Sequence, residues 1–151
     1  MGIYPDSMKI LLDTNILFPR SRDPGLQKRL MAKLVAEGMT PVVNDHIVRE
    51  LYRTIEEHNP DPEREQLLEV LEEVLALDVL EIKELGEYAP NLEAAARLVP
   101  IKDAPILATL MLPDMDLFIT EDTTHFLHSK LLRGTPWRAK IRSLKEFLSR
   151  S

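Results

Sequence analysis

Short apolar runs that alternate with helical patterns constrain the fold of this 151-residue chain more than any other feature. Residues 9–12 form one such run and end at Asp13, and residues 40–43 and 116–120 form two more. Continuous apolar runs of this length are typical of strands that are buried on both faces of a parallel sheet. Strands of this kind separated by helices predict an α/β fold with a mainly parallel central sheet.

The helical segments are marked by capping residues, prolines and apolar stripes. Asp23 and Pro24 begin a helix that Gly38 ends, and Asn44 or Asp45 begins the next helix. The other predicted elements are a helix after the turn at residues 59–62, a strand over 78–82, a short helix capped by Asn91, a buried helix opened by 103–105, a last strand over 138–141, and a C-terminal helix with the capping-box pattern of Ser143 and Glu146. Residues 1–7 are interpreted as a short polar extension and residues 8–151 as a single domain.

Composition excludes several classes of protein. The chain has no cysteine, which rules out a disulfide framework, a thiol nucleophile and a cysteine-ligated zinc site, and which suits a reducing cytoplasm. Its five glycines are scattered, so the sequence contains no glycine-rich loop for binding phosphate. No apolar run approaches the roughly 18 residues of a membrane helix and no signal-peptide pattern opens the sequence, so we expect no association with a membrane.

Charge is distributed unevenly along the chain, whose formal net charge is −6. Residues 56–103 hold 14 acidic and 4 basic side chains, whereas residues 128–151 hold 7 basic side chains and 1 acidic one. A uniformly basic nucleic-acid-binding protein is therefore excluded, but a local basic face is not. On charge alone the basic segment is interpreted as a solvated surface, and its candidates for contact with phosphate are Lys130, Arg133 and Arg138.

Carboxylates stand directly after two predicted strands and at one predicted helix start. Asp13 follows the first strand, Asp122 follows the strand over residues 116–120, and Asp103 precedes the buried helix. Ligands of open parallel sheets bind beyond the carboxyl ends of the strands, and oxygen ligands suit Mg²⁺ or Mn²⁺. Each acid also has a structural alternative, as a strand end, a helix cap or a turn residue. The residues alone leave a metal site and purely structural roles both open.

Two further features carry weaker signals. Glu50 lies off the centre of the apolar stripe of its helix, so periodicity predicts a solvated glutamate there. His125 and His128 are three residues apart, but no third nitrogen ligand accompanies them, and a zinc site is not predicted.

Four segments, taken in order, resemble the acidic segments of the PIN-domain family. Residues 9–17 resemble its opening strand, which ends in Asp-Thr-Asn or Asp-Thr-Ser, and residues 42–51, ending in Arg-Glu-Leu, resemble its second segment. Residues 103–108 resemble the third, and residues 117–126, an apolar strand followed by Thr-x-Asp and a phenylalanine, resemble the fourth. The resemblance covers nearly the whole chain and implies a three-layer α/β/α fold.

The resemblance implies a ribonuclease that depends on a divalent metal ion. The acidic cluster that holds Mg²⁺ or Mn²⁺ in the family corresponds to Asp13, Glu50, Asp103 and Asp122, and Glu50 enters the site on this ground alone. Three polar residues would orient this cluster, namely Thr14, Asn15 and Thr120. Asp116 would be a peripheral acid. Divalent ions lower the pKa of bound water and hold the attacking and leaving oxygens of a phosphodiester in line, so no side-chain nucleophile is required.

A single-domain chain of this size is similar to the ribonuclease toxins of VapBC-type toxin–antitoxin pairs. The implied partners are an RNA substrate, a small antitoxin protein and a second copy of the chain in a homodimer. Glu121 and His125 depart from the family pattern and leave the contacts with substrate open. The alternative is a catalytically silent PIN scaffold that binds RNA or protein. A phosphatase of the aspartyl-phosphate type is less consistent with the sequence, since Asn15 stands where its second acid would be.

Overall fold

The computed structural model describes residues 8–17, 24–57 and 80–149, together with residues 65, 69, 72 and 76. Within these residues one sheet contains five strands, which are β1 (Lys9–Leu12), β2 (Thr40–Asn44), β3 (Glu81–Lys83), β4 (Leu117–Ile119) and β5 (Ile141–Arg142). The strand order is β3-β2-β1-β4-β5, and every neighbouring pair is parallel. The predicted α/β/α fold with a mainly parallel central sheet is confirmed.

Helices connect the strands and follow the last one. In the described residues they are α1 (Thr14–Leu17), α2 (Pro24–Ala36), α3 (Asp45–Glu57), α4 (Leu85–Tyr88), α5 (Leu92–Ala96), α6 (Ala104–Leu110) and α7 (Leu144–Ser149). Shorter 3₁₀ turns cover Ala89–Asn91, Ile101–Asp103 and Arg138–Lys140, and a π-helical turn covers Thr123–Leu127. None of these helices is both long enough and apolar enough to cross a bilayer.

The three apolar runs of the sequence occupy the centre of the sheet. β2, β1 and β4 are neighbours, and the side chains of Ile10, Leu11 and Leu12 are inaccessible to solvent. A strand with helices on both sides has no solvated face, which explains why its sequence does not alternate between polar and apolar residues. The helix α6 is buried along almost its whole length, as its apolar sequence predicts.

The order of the strands creates a topological switch point beside β1. The chain proceeds from β1 to β2 and β3 in one direction, and β4 and β5 then lie on the other side of β1. In open parallel sheets the crevice at the carboxyl ends of such strands is the place where ligands bind. Asp13 follows β1 and Thr120 follows β4, so both residues stand at this point.

Some predicted elements differ from the structure or lie outside the described residues. The predicted last strand over residues 138–141 is wrong in its extent: a 3₁₀ turn occupies Arg138–Lys140, and only Ile141–Arg142 pairs with the short strand β4. Asn91 starts α5 without a side-chain capping bond, and its amide nitrogen donates to the carbonyl of Ala108. Residues 1–7, the turn at 59–62 and most of the acidic helix that follows it lie outside the described residues.

Candidate metal centre

Asp13 is a buried carboxylate at the end of β1. Its side chain is almost fully shielded, with a relative exposure of 6% for the residue, and its backbone N–H still donates to Ile119 of β4 at 3.1 Å. Its Oδ1 accepts a hydrogen bond from the N–H of Thr14 at 2.7 Å, and its Oδ2 accepts one from the hydroxyl of Thr120 at 2.6 Å. Burial raises the pKa of Asp13 to about 6; these hydrogen bonds lower it and the nearby charges of Glu50 and Asp122 raise it.

Glu50, in α3, is linked to Asp13 through Thr14. The hydroxyl of Thr14 donates to its Oε2 at 3.0 Å, and Nε2 of His46, one helical turn earlier, lies 2.8 Å from its Oε1. The interaction with His46 is the largest reason why the pKa of Glu50 lies below its ordinary value. The side chain is 36% exposed, so the solvated glutamate that periodicity predicts is instead half-buried and bonded to a residue that adjoins Asp13.

Asp103 stands at the end of a 3₁₀ turn, immediately before α6. Its side chain makes no capping hydrogen bond to that helix, which removes the structural alternative that the sequence leaves open. Its Oδ2 is shielded from solvent and receives no hydrogen bond from any described residue. Burial raises the pKa of Asp103, and the charges of Asp122 and Glu50 act in the same direction, while His125 opposes them.

Asp122 holds the π-helical turn that follows β4. Its Oδ1 accepts a hydrogen bond from the backbone N–H of His125 at 2.9 Å, so the aspartate does cap a turn. Its Oδ2 lies 3.1 Å from Nδ1 of the same histidine. The backbone N–H of Asp122 in turn donates to the hydroxyl of Thr120 at 3.0 Å. One oxygen of this carboxylate therefore has a structural role, and the other faces the cluster.

The structure brings all four predicted acids into one electrostatic cluster. Among the described residues, Asp103, Asp122 and His125 form a group whose ligand atoms all lie within 4.8 Å of one another. Asp13 and Glu50 belong to the same field, because the charge of Glu50 acts on both Asp13 and Asp103. Carboxylate oxygens gathered in this way, one of them shielded and without a donor, fit a hard divalent cation such as Mg²⁺ or Mn²⁺.

Of the four polar residues expected around the cluster, three reach it and one does not. Thr14 and Thr120 bond Asp13 as described, and Asn15 donates to Oδ2 of Asp13 at a longer distance of 3.4 Å while accepting from the N–H of Glu121. Asp116 precedes β4 and accepts a hydrogen bond from the N–H of Lys9, at the amino end of β1. Because the strands are parallel, Asp116 lies at the opposite end of the sheet from Asp13.

An open pocket of about 330 Å³ adjoins the cluster through His125. Its walls are formed by Leu98, Pro100, Thr124, His125, His128, Ser129, Lys130 and Leu131. The three basic candidates differ in their surroundings: Lys130 lines this pocket, Arg133 is exposed, and the guanidinium of Arg138 donates to the carbonyl of Ile141 at 3.0 Å. Lys130 is therefore better placed than Arg138 to contact a ligand in this pocket, and Arg133 is open to solvent.

His125 is the site residue that the sequence did not identify. The sequence predicts no zinc site at this histidine, since no third nitrogen ligand accompanies it, and its partners in the structure are the carboxylates of Asp103 and Asp122. The spacing of three residues between Asp122 and His125 was the available signal. That spacing could not be interpreted without the π-helical turn, which decides where the imidazole points.

The sequence of residues 10–129 matches the model of the PIN domain. The chain belongs to the PIN domain family. Its fold is similar to that of a chain in the VapBC2 complex of Rickettsia felis bound to a DNA fragment from its promoter, with a TM-score of 0.60 and 17% identity over 90% of this chain and 98% of that one. A chain of a toxin–antitoxin complex from Klebsiella pneumoniae matches with a TM-score of 0.54 and 19% identity over 89% and 97% of the two chains. No curated protein matches the sequence.

Proposed function

We propose that this PIN domain is a metal-dependent endoribonuclease that hydrolyses phosphodiester bonds of cytoplasmic RNA. The observation that carries the proposal is the convergence of Asp13, Glu50, Asp103 and Asp122 at the switch point of the sheet, with Oδ2 of Asp103 shielded and without a donor. Membership of the PIN domain family supports the same reaction class.

The four carboxylates are the proposed ligands of Mg²⁺ or Mn²⁺. A divalent ion bound in such a site would lower the pKa of its bound water and offset the negative charge of the phosphate. Thr120 and Thr14 keep Asp13 in one orientation, since each donates to a different oxygen of its carboxylate. Thr14 also ties that carboxylate to Glu50, so the acids from two separate elements are held as a unit.

The acid cluster by itself repels an RNA backbone, so positive charge has to lie close by. Lys130 lines the pocket next to His125, and Arg133 is exposed three residues further on. We propose that these side chains contact phosphates and position the strand, without reading its sequence. The apolar walls of the pocket, Leu98, Pro100 and Leu131, are suited to an unstacked base.

A small antitoxin is the proposed protein partner. One solved structure of similar fold is a VapBC2 complex and another is a toxin–antitoxin complex, which supports a role as the toxin of such a pair. A homodimer of the chain is proposed on the family resemblance. A catalytically silent scaffold is the alternative, and the experiment below separates it from the nuclease.

The test measures cleavage of a mixed RNA pool with Mg²⁺, Mn²⁺ or EDTA. We expect cleavage only with a divalent ion, and a loss of about a hundredfold or more in Asp13→Asn and in Asp103→Asn, because each removes a charged ligand. Asp116→Asn is the matched control: it changes an acid of the same sheet at the opposite end and should cleave like the wild type. Undiminished cleavage in EDTA or in Asp13→Asn would contradict the proposal, and binding of RNA without cleavage would favour the scaffold.

A further inference from the structure

His125 occupies a position in the acid cluster that the proposed nuclease mechanism does not use. Its Nδ1 lies 3.1 Å from Oδ2 of Asp103 and 3.1 Å from Oδ2 of Asp122. The side chains of the three residues are largely shielded, with exposures of 29%, 14% and 23%, respectively. A nitrogen atom therefore stands between the carboxylates of Asp103 and Asp122, which offer only oxygen atoms.

The local fold fixes the imidazole in this place. Backbone bonds from Leu127 to Asp122 and from His128 to Thr123 make the turn π-helical, and Oδ1 of Asp122 holds the N–H of His125. The next residue, Phe126, is buried and packs edge-on against Phe118 of β4, with ring centroids 5.0 Å apart. The turn is anchored on both sides of the histidine, and single π-helical turns are frequent at functional sites.

The two contacts of Nδ1 are not equivalent. The contact with Asp122 has the geometry of a hydrogen bond, whereas Oδ2 of Asp103, at the same distance, receives no hydrogen bond from the described residues. A shielded carboxylate oxygen that lacks a donor is costly unless a cation satisfies it. That oxygen has an ion-pair contact with Nδ1 of His125, and it retains the capacity to coordinate a bound cation.

The separations are those of atoms that share one metal ion. Ligand bonds of about 2.0–2.2 Å that meet at right angles place neighbouring donor atoms roughly 3 Å apart. Both distances from Nδ1 to the carboxylate oxygens have this value. Each carboxylate oxygen is thus spaced from Nδ1 as an adjacent ligand would be, and the donor atoms of the three residues all lie within 4.8 Å of one another.

We propose that Nδ1 of His125 is a ligand of the metal ion held by Asp103 and Asp122, and that it biases the site towards Mn²⁺ and Co²⁺ over Mg²⁺. The inference rests on the proposed metal-dependent function and adds the identity of the preferred ion. Mg²⁺ demands hard oxygen ligands and gives up water reluctantly, whereas imidazole suits the transition metals. A site with one nitrogen and several carboxylate oxygens discriminates between the two classes of ion in this direction.

The experiment measures metal affinity directly, by calorimetric titration of the folded apo protein with Mg²⁺, Mn²⁺ and Co²⁺. His125→Ala should weaken the binding of Mn²⁺ and Co²⁺ by about tenfold or more and change that of Mg²⁺ much less. His128→Ala is the matched control, because this histidine is exposed and lies outside the cluster. It should leave all three affinities unchanged.

A second variant replaces the nitrogen by oxygen at the same place. The carboxylate of His125→Asp puts an oxygen where Nδ1 stands, so the ratio of Mn²⁺ to Mg²⁺ affinity should fall towards that of an all-oxygen site. This ratio decides the matter even where His125→Ala loses its fold. The visible spectrum of bound Co²⁺ should also change in His125→Asp and stay the same in His128→Ala.

Two outcomes would overturn the inference. If the histidine merely fills the place of the ion, His125→Ala binds every metal more tightly, because a competing cation has been removed. If it only positions the carboxylates, the variant loses Mg²⁺ and Mn²⁺ affinity equally and the ratio is unchanged. Failure of the nuclease proposal is distinguishable from both: the ratio then shifts as expected, although no metal-loaded form cleaves RNA.

Discussion

Asp13 couples the site to the stability of the protein through its pKa. In the folded protein burial raises this pKa from an ordinary 3.8 to about 6. The folded state therefore binds a proton more tightly than the unfolded chain, and the contribution of Asp13 to stability is complete below about pH 4 and is lost as the pH rises through about 6. A shift of roughly two units corresponds to about 3 kcal/mol in the free energy of unfolding.

We predict that Asp13→Asn in EDTA becomes more stable relative to the wild type as the pH rises from 4 to 7, by up to about 3 kcal/mol. The amide does not ionise, and the hydroxyl of Thr120 can turn to accept from it. Denaturant unfolding of both proteins at several pH values measures the difference. Mn²⁺ at a hundredfold excess over its dissociation constant should stabilise the wild type by about 2.7 kcal/mol and the variant by less. If the difference in free energy of unfolding between the two proteins does not depend on pH, the pKa of Asp13 is not raised in the folded protein.

Asn44 links α3, the helix that contains Glu50, to α6, the helix that directly follows Asp103. Its Oδ1 accepts a hydrogen bond from the N–H of Ile47 at the start of α3, which also carries Glu50. Its amide donates to the carbonyl of Pro105 and to the hydroxyl of Thr109, both in α6, the helix that begins after Asp103. This side chain is inaccessible to solvent, so the three bonds have no competition from water.

We expect Asn44→Ala to lower the free energy of unfolding by about 2–4 kcal/mol, since it leaves buried polar groups unpaired, and to weaken metal binding as the two helices loosen. Ser143→Ala is the control variant, because it breaks the capping box of α7, far along the chain from Asn44. It should lower the free energy of unfolding by about 1 kcal/mol without changing metal affinity. Chemical denaturation and metal titration measure the two effects. Equal loss of metal affinity in both variants would mean that general stability, and not the link through Asn44, sets the site.

On the scale of the whole molecule, the arrangement of charge decides how an acidic protein can meet RNA. The chain carries a formal net charge of −6, and its four site acids lie together. Lys130 lines the pocket beside this centre and Arg133 is exposed three residues further on, whereas Arg138 is engaged with a backbone carbonyl. Phosphate contacts release counterions, so the number of contacts can be counted from the dependence of affinity on salt.

We predict that Lys130→Gln with Arg133→Gln weakens the binding of single-stranded RNA and reduces the slope of log affinity against log salt by about 1.4, the value for two lost contacts. Asp13→Asn is the background, so that RNA is not cleaved during the titration. Arg29→Gln, which changes an exposed base of α2, should leave the slope unaltered. An unchanged slope in the double variant would mean that the basic segment is an ordinary solvated surface.

The sequence by itself determined the class of fold and pointed to three of the four acids of the candidate site. Uninterrupted apolar runs are typical of strands covered on both faces. Capping residues marked the starts of α3 and α7, and Pro105 marked that of α6, because these signals act within one helical turn. Asp13, Asp103 and Asp122 could be identified because the carboxyl ends of parallel strands meet at one edge. The family resemblance added Glu50, which no local pattern selects.

Only the tertiary structure decided which side chains meet. Asp116 and Asp122 flank the same strand, and the parallel pairing of β1 with β4 places one at each end of the sheet. Glu50 accepts a hydrogen bond from the hydroxyl of Thr14, which lies 36 residues away in the chain. His125 joins Asp103 only because a π-helical turn and the buried Phe126 aim its ring at the cluster. Contacts between residues distant in sequence depend on how whole elements pack, and local periodicity carries no information about that packing.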